Sequence, residues 1–335
     1  MASIFLLLLL ATGRAVAEEW SKPQRIATQP PLEEPARLKG VSCPTDNFCA
    51  VADSFGNVVT STEPMDGAAN WTLASAKETD SSNGFSGISC SSSSFCAAVD
   101  IAGGVSSSSN PTGGSATWNL NHVPESSALG GITCPSVSLC LAVNGGKLAV
   151  STNPAAGTWT NFSLSETEGI RAVSCPSVSF CAAAASGGKI WTTSNPTEGA
   201  VAWTSASISG SELSYVSCAS TSLCVAGSDF GTLFTSTNPT AGSPTWTGVS
   251  VGLHTVSCPT ASLCVGARNN EVVTATSPTG GAGEWAADAV DAVGGFGINS
   301  ISCTATPHCV AVREGNVITS SNPTGGRSCL VRGHR

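Results

Sequence analysis

Two aspartates and two arginines share one equivalent position in this chain, four residues after a cysteine: Asp53, Asp100, Arg268 and Arg313. Asn144, Ala185 and Ser228 complete the column. Those residue types carry recognisable chemistry. Two carboxylates roughly 5 to 9.5 Å apart can act as acid, base or nucleophile on a glycosidic bond, and Asp53 with Asp100 is the pair to test for it. Arginines grip a carboxylate through parallel N–H···O bonds. Together the four residues make a bipolar cleft suited to a sugar acid or a peptide terminus. The plainer alternative is solvated strand ends with ion pairs of little energetic weight. We therefore take the four as candidate ligand-binding residues and none as catalytic, since nothing in the local sequence marks a catalyst.

Other reactive sets are sparse. A serine hydrolase wants a Gly-x-Ser-x-Gly elbow, and the chain has none. His122, His254 and His308 lie in or beside turns, and His334 lies in the C-terminal tail. A nucleic-acid surface needs a basic stripe, whereas the net charge is −8 with no basic run in the body of the chain. No cofactor, metal or nucleic-acid partner is expected.

The elements that position the column come from a repeat. Seven Cys-x5-Cys pairs run through the chain: Cys43/Cys49, Cys90/Cys96, Cys134/Cys140, Cys175/Cys181, Cys218/Cys224, Cys258/Cys264 and Cys303/Cys309. Successive first cysteines lie 47, 44, 41, 43, 40 and 45 residues apart, the length of one four-stranded propeller blade. Each unit has one near pair flanking a turn. We expect each pair to form a disulfide across a hairpin, the two cysteines facing each other in the ladder. Zinc sites want four converging ligands, which pairs on separate blades do not supply. Cys329 is left over and is either free or available to link two chains; a monomer is otherwise expected.

The third unit shows the pattern. Ile132–Cys134 reads as a strand, 135–138 as a turn and Leu139–Val143 as a second strand. Gly145-Gly146 turns into Lys147–Ser151, and 152–157 turns into Thr158–Phe162. The third turn repeats most strictly. Pro64, Pro111, Pro154, Pro196, Pro239, Pro278 and Pro323 are each followed three residues later by glycine. Asn precedes the proline in five units, and Ser or Thr stands two residues before that in six. Asn bonds its own backbone, Pro fixes φ, and Gly permits positive φ. Trp71, Trp118, Trp159, Trp203, Trp246 and Trp285 then follow as expected core plugs. Trp191 falls in a mostly apolar column and is expected to pack.

Ser/Thr-x-Asn-Pro-x-x-Gly-x-x-x-Trp resembles an expanded Asp-box, or BNR, repeat, whose motif Ser-x-Asp-x-Gly-x-Thr-Trp sits between the third and fourth strands of a propeller blade. The resemblance covers nearly the whole chain after residue 17. It departs by using Asn for Asp, by inserting residues and by adding the Cys-x5-Cys hairpin. It implies an all-β, seven-bladed propeller and little about activity, because that family spans unrelated functions. Its sialidase members need an arginine cluster and a tyrosine nucleophile; here Tyr215 is the only tyrosine and the arginines are scattered, so that catalytic set does not carry over.

The seventh unit lacks its tryptophan, Leu330 standing in the slot, while Trp20 is spare at the other end. We expect the segment near Trp20 to supply the fourth strand of the last blade and close the ring. The first and third turns then share one uniform face. The second turns and inter-blade connections share the other, and a specific site belongs there.

Residues 1–17 read as a signal peptide, with the apolar run Ile4–Ala11 before Ala15-Val16-Ala17. Removing them takes one arginine, leaving 13 basic and 22 acidic residues, a charge of −9. The propeller is expected over 18–326 and a tail over 327–335. No stretch is apolar for long enough to be a transmembrane segment. Disulfides suit an oxidising compartment. The preferred reading is a secreted, non-enzymatic module at or outside the cell surface that binds an extracellular glycan or protein. The alternatives are a carbohydrate-active glycoside hydrolase with its site on the variable face, and a structural cell-surface protein. Asn70 and Asn161 head N-glycosylation patterns.

Overall fold

The computed structural model describes residues 20–29, 34–35, 37–77, 84–126, 128–229, 231–290 and 297–325. The expected signal peptide, tail, Cys329 and His334 lie outside them. The chain forms seven four-stranded antiparallel sheets plus a two-residue pairing of Thr28–Gln29 with Glu34–Pro35. In blade two the strands are Phe85–Ser92, Phe95–Asp100, Gly104–Ser108 and Asn119–His122, paired in that order. Each second strand is buried along nearly its whole length, since both of its faces lie against neighbouring blades.

All seven cysteine pairs are disulfides: Cys43–Cys49, Cys90–Cys96, Cys134–Cys140, Cys175–Cys181, Cys218–Cys224, Cys258–Cys264 and Cys303–Cys309, with Cα–Cα distances of 4.0–4.2 Å. Each bond staples its blade's first hairpin. The two cysteines of every pair face each other across the ladder, as expected, and the distance is nearly the same whether or not a proline follows the first. The ladder shifts register just after the first cysteine, before Ser92 and Ser220 in blades two and five and before Thr45, Ser136, Ser177 and Thr260 in blades one, three, four and six. Pro44, Pro135, Pro176 and Pro259 occupy the shifted position in those last four blades, where a residue with no N–H to give the ladder is tolerated. Cys49, Cys96, Cys140, Cys181, Cys224, Cys264 and Cys309 are almost completely buried on the second strands, and their partners are nearly so. The cysteines therefore belong to the core of the ring and not to any accessible site.

The third turn also behaves alike from blade to blade. The hydroxyl of Ser61, Ser108, Ser151, Thr193, Ser236 or Ser320 accepts the backbone N–H two residues on, at 3.0–3.2 Å. The following proline is buried in all seven blades. Gly67 (φ 103°) and Gly281 (φ 94°) take backbone conformations that a side chain would strain.

The tryptophans are the mortar between blades. Trp118 packs among residues of blades one and two, Trp159 of two and three, Trp203 of three and four, Trp246 of four and five, and Trp285 of five and six. Trp71 lies between blades seven and one. The place between blades six and seven is filled by Trp20, against Val265, Val272, Ile301 and Ile318. Just beyond it, Gln24–Arg25 pairs with Val317 and Asn316 as the outer strand of blade seven. Ser21 exchanges backbone and hydroxyl bonds with Thr319. The ring therefore closes through the N-terminal strand. Trp191 is half-buried against the core between blades three and four.

A second closure runs around the axis. The residue before each first cysteine carries a hydroxyl, and it accepts the backbone N–H of the first cysteine of the next blade. The acceptors are Ser42, Ser89, Thr133, Ser174, Ser217, Ser257 and Ser302, at 2.9–3.3 Å. Ser302 bonds Cys43, so the girdle has no gap. Each bond contributes on the order of 1 kcal/mol. Between blades one and two the innermost strands come so close that a Cβ on Gly40 would lie 3.1 Å from the Ile88 nitrogen.

The seam between blades seven and one has contacts of its own. Asn299 Nδ2 donates to the Leu38 carbonyl at 2.8 Å. Asp46 accepts from the Thr304 hydroxyl at 2.5 Å and from the Thr306 hydroxyl, and His308 Nδ1 lies 3.5 Å away. The Thr304 bond, then the Thr306 bond, with a smaller pull from His308, outweigh desolvation and hold the Asp46 carboxyl below the usual carboxylate range. A folded pKa below the unfolded one contributes stability above the unfolded value near pH 4, and that stability is lost as pH falls through the folded value. Asp46→Asn is accordingly expected to lower Tm at pH 7 and to change it little near pH 2.5. Equal losses at both pH values, followed by circular dichroism, would show that the ionised clasp does not act.

Candidate functional site

The second turns and the inter-blade connections form the variable face, where the four column residues end their strands. Their placement on blades six, seven, one and two follows the repeat, but no hydrogen bond or ion pair joins any two of them.

Asp53 is fully buried at the end of Phe48–Asp53. Its Oδ1 accepts the N–H of Phe55 at 2.8 Å and of Asn57 at 2.9 Å, and its Oδ2 accepts from Asn57 Nδ2 at 2.9 Å. Burial nevertheless pushes its carboxyl above the ordinary range. Asp100, 1% exposed, repeats the turn: its Oδ1 accepts from Ala102 at 2.7 Å and Gly104 at 2.8 Å. Its other oxygen meets Lys77 Nζ at 2.5 Å, with both side chains buried. Both carboxylates are therefore spent on holding their own turns. Asn144, their counterpart in blade three, accepts from Ser126 and donates to Asn161.

The arginines differ from each other. Arg268 pairs with Glu271 across its own turn at 2.6 Å, with both side chains partly exposed. Arg313, the last residue of Cys309–Arg313, is 4% exposed. Its Nε and Nη1 are buried and, among the described residues, have no hydrogen-bond partner.

Tyr215 is buried, with its hydroxyl unpartnered. Desolvation, then the Asp229 charge, push that hydroxyl's pKa far up, so it is a poor nucleophile. His122 and His254 each place Nε2 against a backbone carbonyl, of Ala102 and Ile298. Among the described residues no three metal-ligating side chains converge.

Sequence reasoning did not single out a cleft between blades three and four. It has a volume of about 300 Å³ and is lined by Gly145-Gly146-Lys147 and by Ser163 and Ser165–Gly169. Its glycines are there for a close approach: Gly146 has φ 94°, and a Cβ on it would lie 3.1 Å from the Gly169 Cα. The Ser165 hydroxyl accepts the N–H of Thr167 and Glu168, shaping the wall. Glu168 pairs with Lys189 at 2.9 Å, and its second oxygen is buried without a partner. The variable lengths of these loops hid the cleft. A second feature of this face is apolar: Phe55 and Ile101 stand exposed in the second turns of blades one and two.

The sequence matches no family model and no curated protein. Similar solved structures include YCF48 bound to D1 peptide, at 13% identity and TM-score 0.68 over 90% of this chain and 96% of that one. YCF48 from Cyanidioschyzon merolae gives 15% identity and TM-score 0.65 over 90% and 99%. The WD40 β-propeller domain of Doa1 gives 11% and 0.66 over 89% and 95%. The likeness is one of fold. The chain is a seven-bladed β-propeller with one disulfide in each blade. That fold is compatible with a non-enzymatic binding module. Among the described residues no helix is long and apolar enough to cross a membrane.

Proposed function

We propose that this propeller is an exported binding module whose variable face takes a segment of a partner protein. The observation that carries the reading is the state of the repeat-positioned carboxylates: Asp53 and Asp100 are buried and committed to their turns. A glycosidase needs a carboxylate pair free to act on its substrate, and these two are already bonded to their turns and, for Asp100, to Lys77. Seven disulfides favour an oxidising compartment, in keeping with residues 1–17 as a signal peptide. YCF48 has been solved with D1 peptide bound, which makes a peptide a reasonable kind of ligand for a propeller of this shape. Phe55 and Ile101, exposed on adjacent blades, supply the apolar contact that a protein segment uses. A glycan is the second reading. It is less favoured because Trp20, Trp71 and the five other blade tryptophans are buried in the inter-blade core and offer no stacking platform. Kinship with Asp-box repeats is part of the same proposal, resting on the Asn-Pro-x-x-Gly turn before each fourth strand.

The test is a peptide array and a glycan array probed with oxidised protein spanning 18–335, beside the Phe55→Ser/Ile101→Ser double variant. Selective peptide binding that weakens at least tenfold in the variant supports the reading. Glycan binding alone replaces it with a lectin-like role. Binding to neither array leaves the structural coat protein as the better account.

A further inference from the structure

We infer that Arg313 is a carboxylate-binding residue, set at the boundary of blades six and seven on the variable face. The inference rests on the binding role above and deepens it, by naming the chemical group the site would hold.

Every neighbour of Arg313 in its column has its charge or polarity answered. Asp53 and Asp100 hold backbone N–H groups, and Arg268 holds Glu271. In this column Arg313 alone is buried with its Nε and Nη1 unpartnered among the described residues. A buried lysine or carboxylate can escape such a position by shifting its pKa and becoming neutral. A guanidinium cannot, because it stays protonated at any ordinary pH. An unpaired buried charge is among the costlier states in a protein, so this one calls for an anion. A carboxylate matches a guanidinium best, through charge-assisted N–H···O bonds.

The described groups around it do not supply that anion. The carbonyl of Val312, one residue before, accepts the Asn299 N–H at 2.8 Å, and Val312 faces blade one, away from Arg313. Glu271 on the other side is already taken by Arg268. Asn270, whose carbonyl accepts Val290 N–H, has its side-chain oxygen buried and unpartnered. It offers an acceptor at the same boundary for the amide or hydroxyl that accompanies a carboxylate in a peptide end or a sugar acid.

The experiment follows the arginine Nε–Hε resonances of ¹⁵N-labelled, oxidised protein spanning 18–335. N-acetylglycine represents a peptide end, glucuronate a sugar acid, and N-acetylglycinamide is the neutral control. We expect the Arg313 resonance, assigned by its loss in Arg313→Lys, to shift saturably with N-acetylglycine and not with the amide. In Arg313→Gln the remaining spectrum should lose its response, with Kd raised at least tenfold. A response to glucuronate in preference also supports the carboxylate site and names the sugar acid as its source. No saturable shift with either carboxylate overturns the inference, as does an unchanged Kd in Arg313→Gln. Should Arg313→Gln fail to fold, Arg313→Lys keeps the charge and carries the same Kd comparison. An internal partner is checked with Asp291→Asn, since Asp291 follows Trp285 by six residues as Lys77 follows Trp71. If that variant moves the Arg313 resonance while carboxylates do not, the inference fails. Array binding that persists in Arg313→Gln removes this site and leaves the module; a carboxylate response without array binding does the reverse.

Discussion

Full reduction of the seven disulfides is expected to unfold the ring at 37 °C. Each bond closes a loop with a sequence separation of 6, which stabilises by about 2 kcal/mol in the chain-entropy model. Seven such terms are comparable to the whole stability of an ordinary domain, about 5–15 kcal/mol. The inner hairpins they staple are short and rich in alanine and serine, as in Phe180–Ala185, so side-chain burial there is modest. The check is a denaturant melt with and without a strong reductant, with a single-blade control in which Cys175 and Cys181 are both changed to Ser. That control should cost about 2 kcal/mol. A reduced protein that melts at the same denaturant concentration as the oxidised one would mean the core carries the ring unaided.

Trp20→Ala is expected to lower unfolding free energy by about 3–5 kcal/mol, the usual cost of removing a buried tryptophan. The reason is its place between blades six and seven, where it packs on Val265, Ile301 and Ile318. The loss should exceed the local contact in one respect. With Trp20 gone, only the short pairing of Gln24–Arg25 and the Ser21–Thr319 bonds hold the N-terminal strand to blade seven. Hydrogen exchange should therefore rise selectively in Asn316–Ser320. Removing residues 18–29 should reproduce the same loss and add that of the strand. A melting temperature unchanged by either alteration would sink the closure argument.

The ring was legible because its signals are local and repeated. The cysteine spacing, the Asn-Pro-x-x-Gly turn and the tryptophan after it each follow from turn or packing chemistry, and Trp20 stood out as the missing seventh. Spacing named the partners of Cys49, Cys140 and Cys264 and their facing positions correctly, but not the register shift just after the first cysteine, which occurs with a proline there or without one. The innermost strands run longer than the sequence alone indicates. The strand read over Ile132–Cys134 extends over Leu129–Ser136 and takes in Gly130-Gly131. In the fold those glycines sit at a bulge between Leu129 and Gly131, on the strand nearest the axis. The hydroxyl girdle was visible in principle as Ser or Thr before every first cysteine. Its purpose was not, since the bond it makes is with the next blade.

The column of Asp53, Asp100, Arg268 and Arg313 shows the opposite limit. The repeat placed the four residues on consecutive blades, but spacing does not say where an oxygen points. Asp53 and Asp100 close turns onto N–H groups two and four residues ahead, as aspartates at turns often do. That local competition is decided by hydrogen-bond geometry, which no residue count contains. The clasp of Asp46 with Thr304 and Thr306 escaped for a related reason: its members depart from the repeat in two units at opposite ends of the chain.

Gln24 pairs with Val317, so the first strand made waits for the last. At about 5–20 residues per second of synthesis, blades one to six are complete well before blade seven emerges. Until then Trp20 has no pocket to enter, and the seam edges of blades one and six remain open. A growing chain of this kind carries an unpaired strand and an exposed tryptophan through most of its production. Its time of greatest exposure to aggregation or proteolysis is therefore its delivery, and a stop codon before residue 316 removes the partner of the N-terminal strand along with the end of the chain.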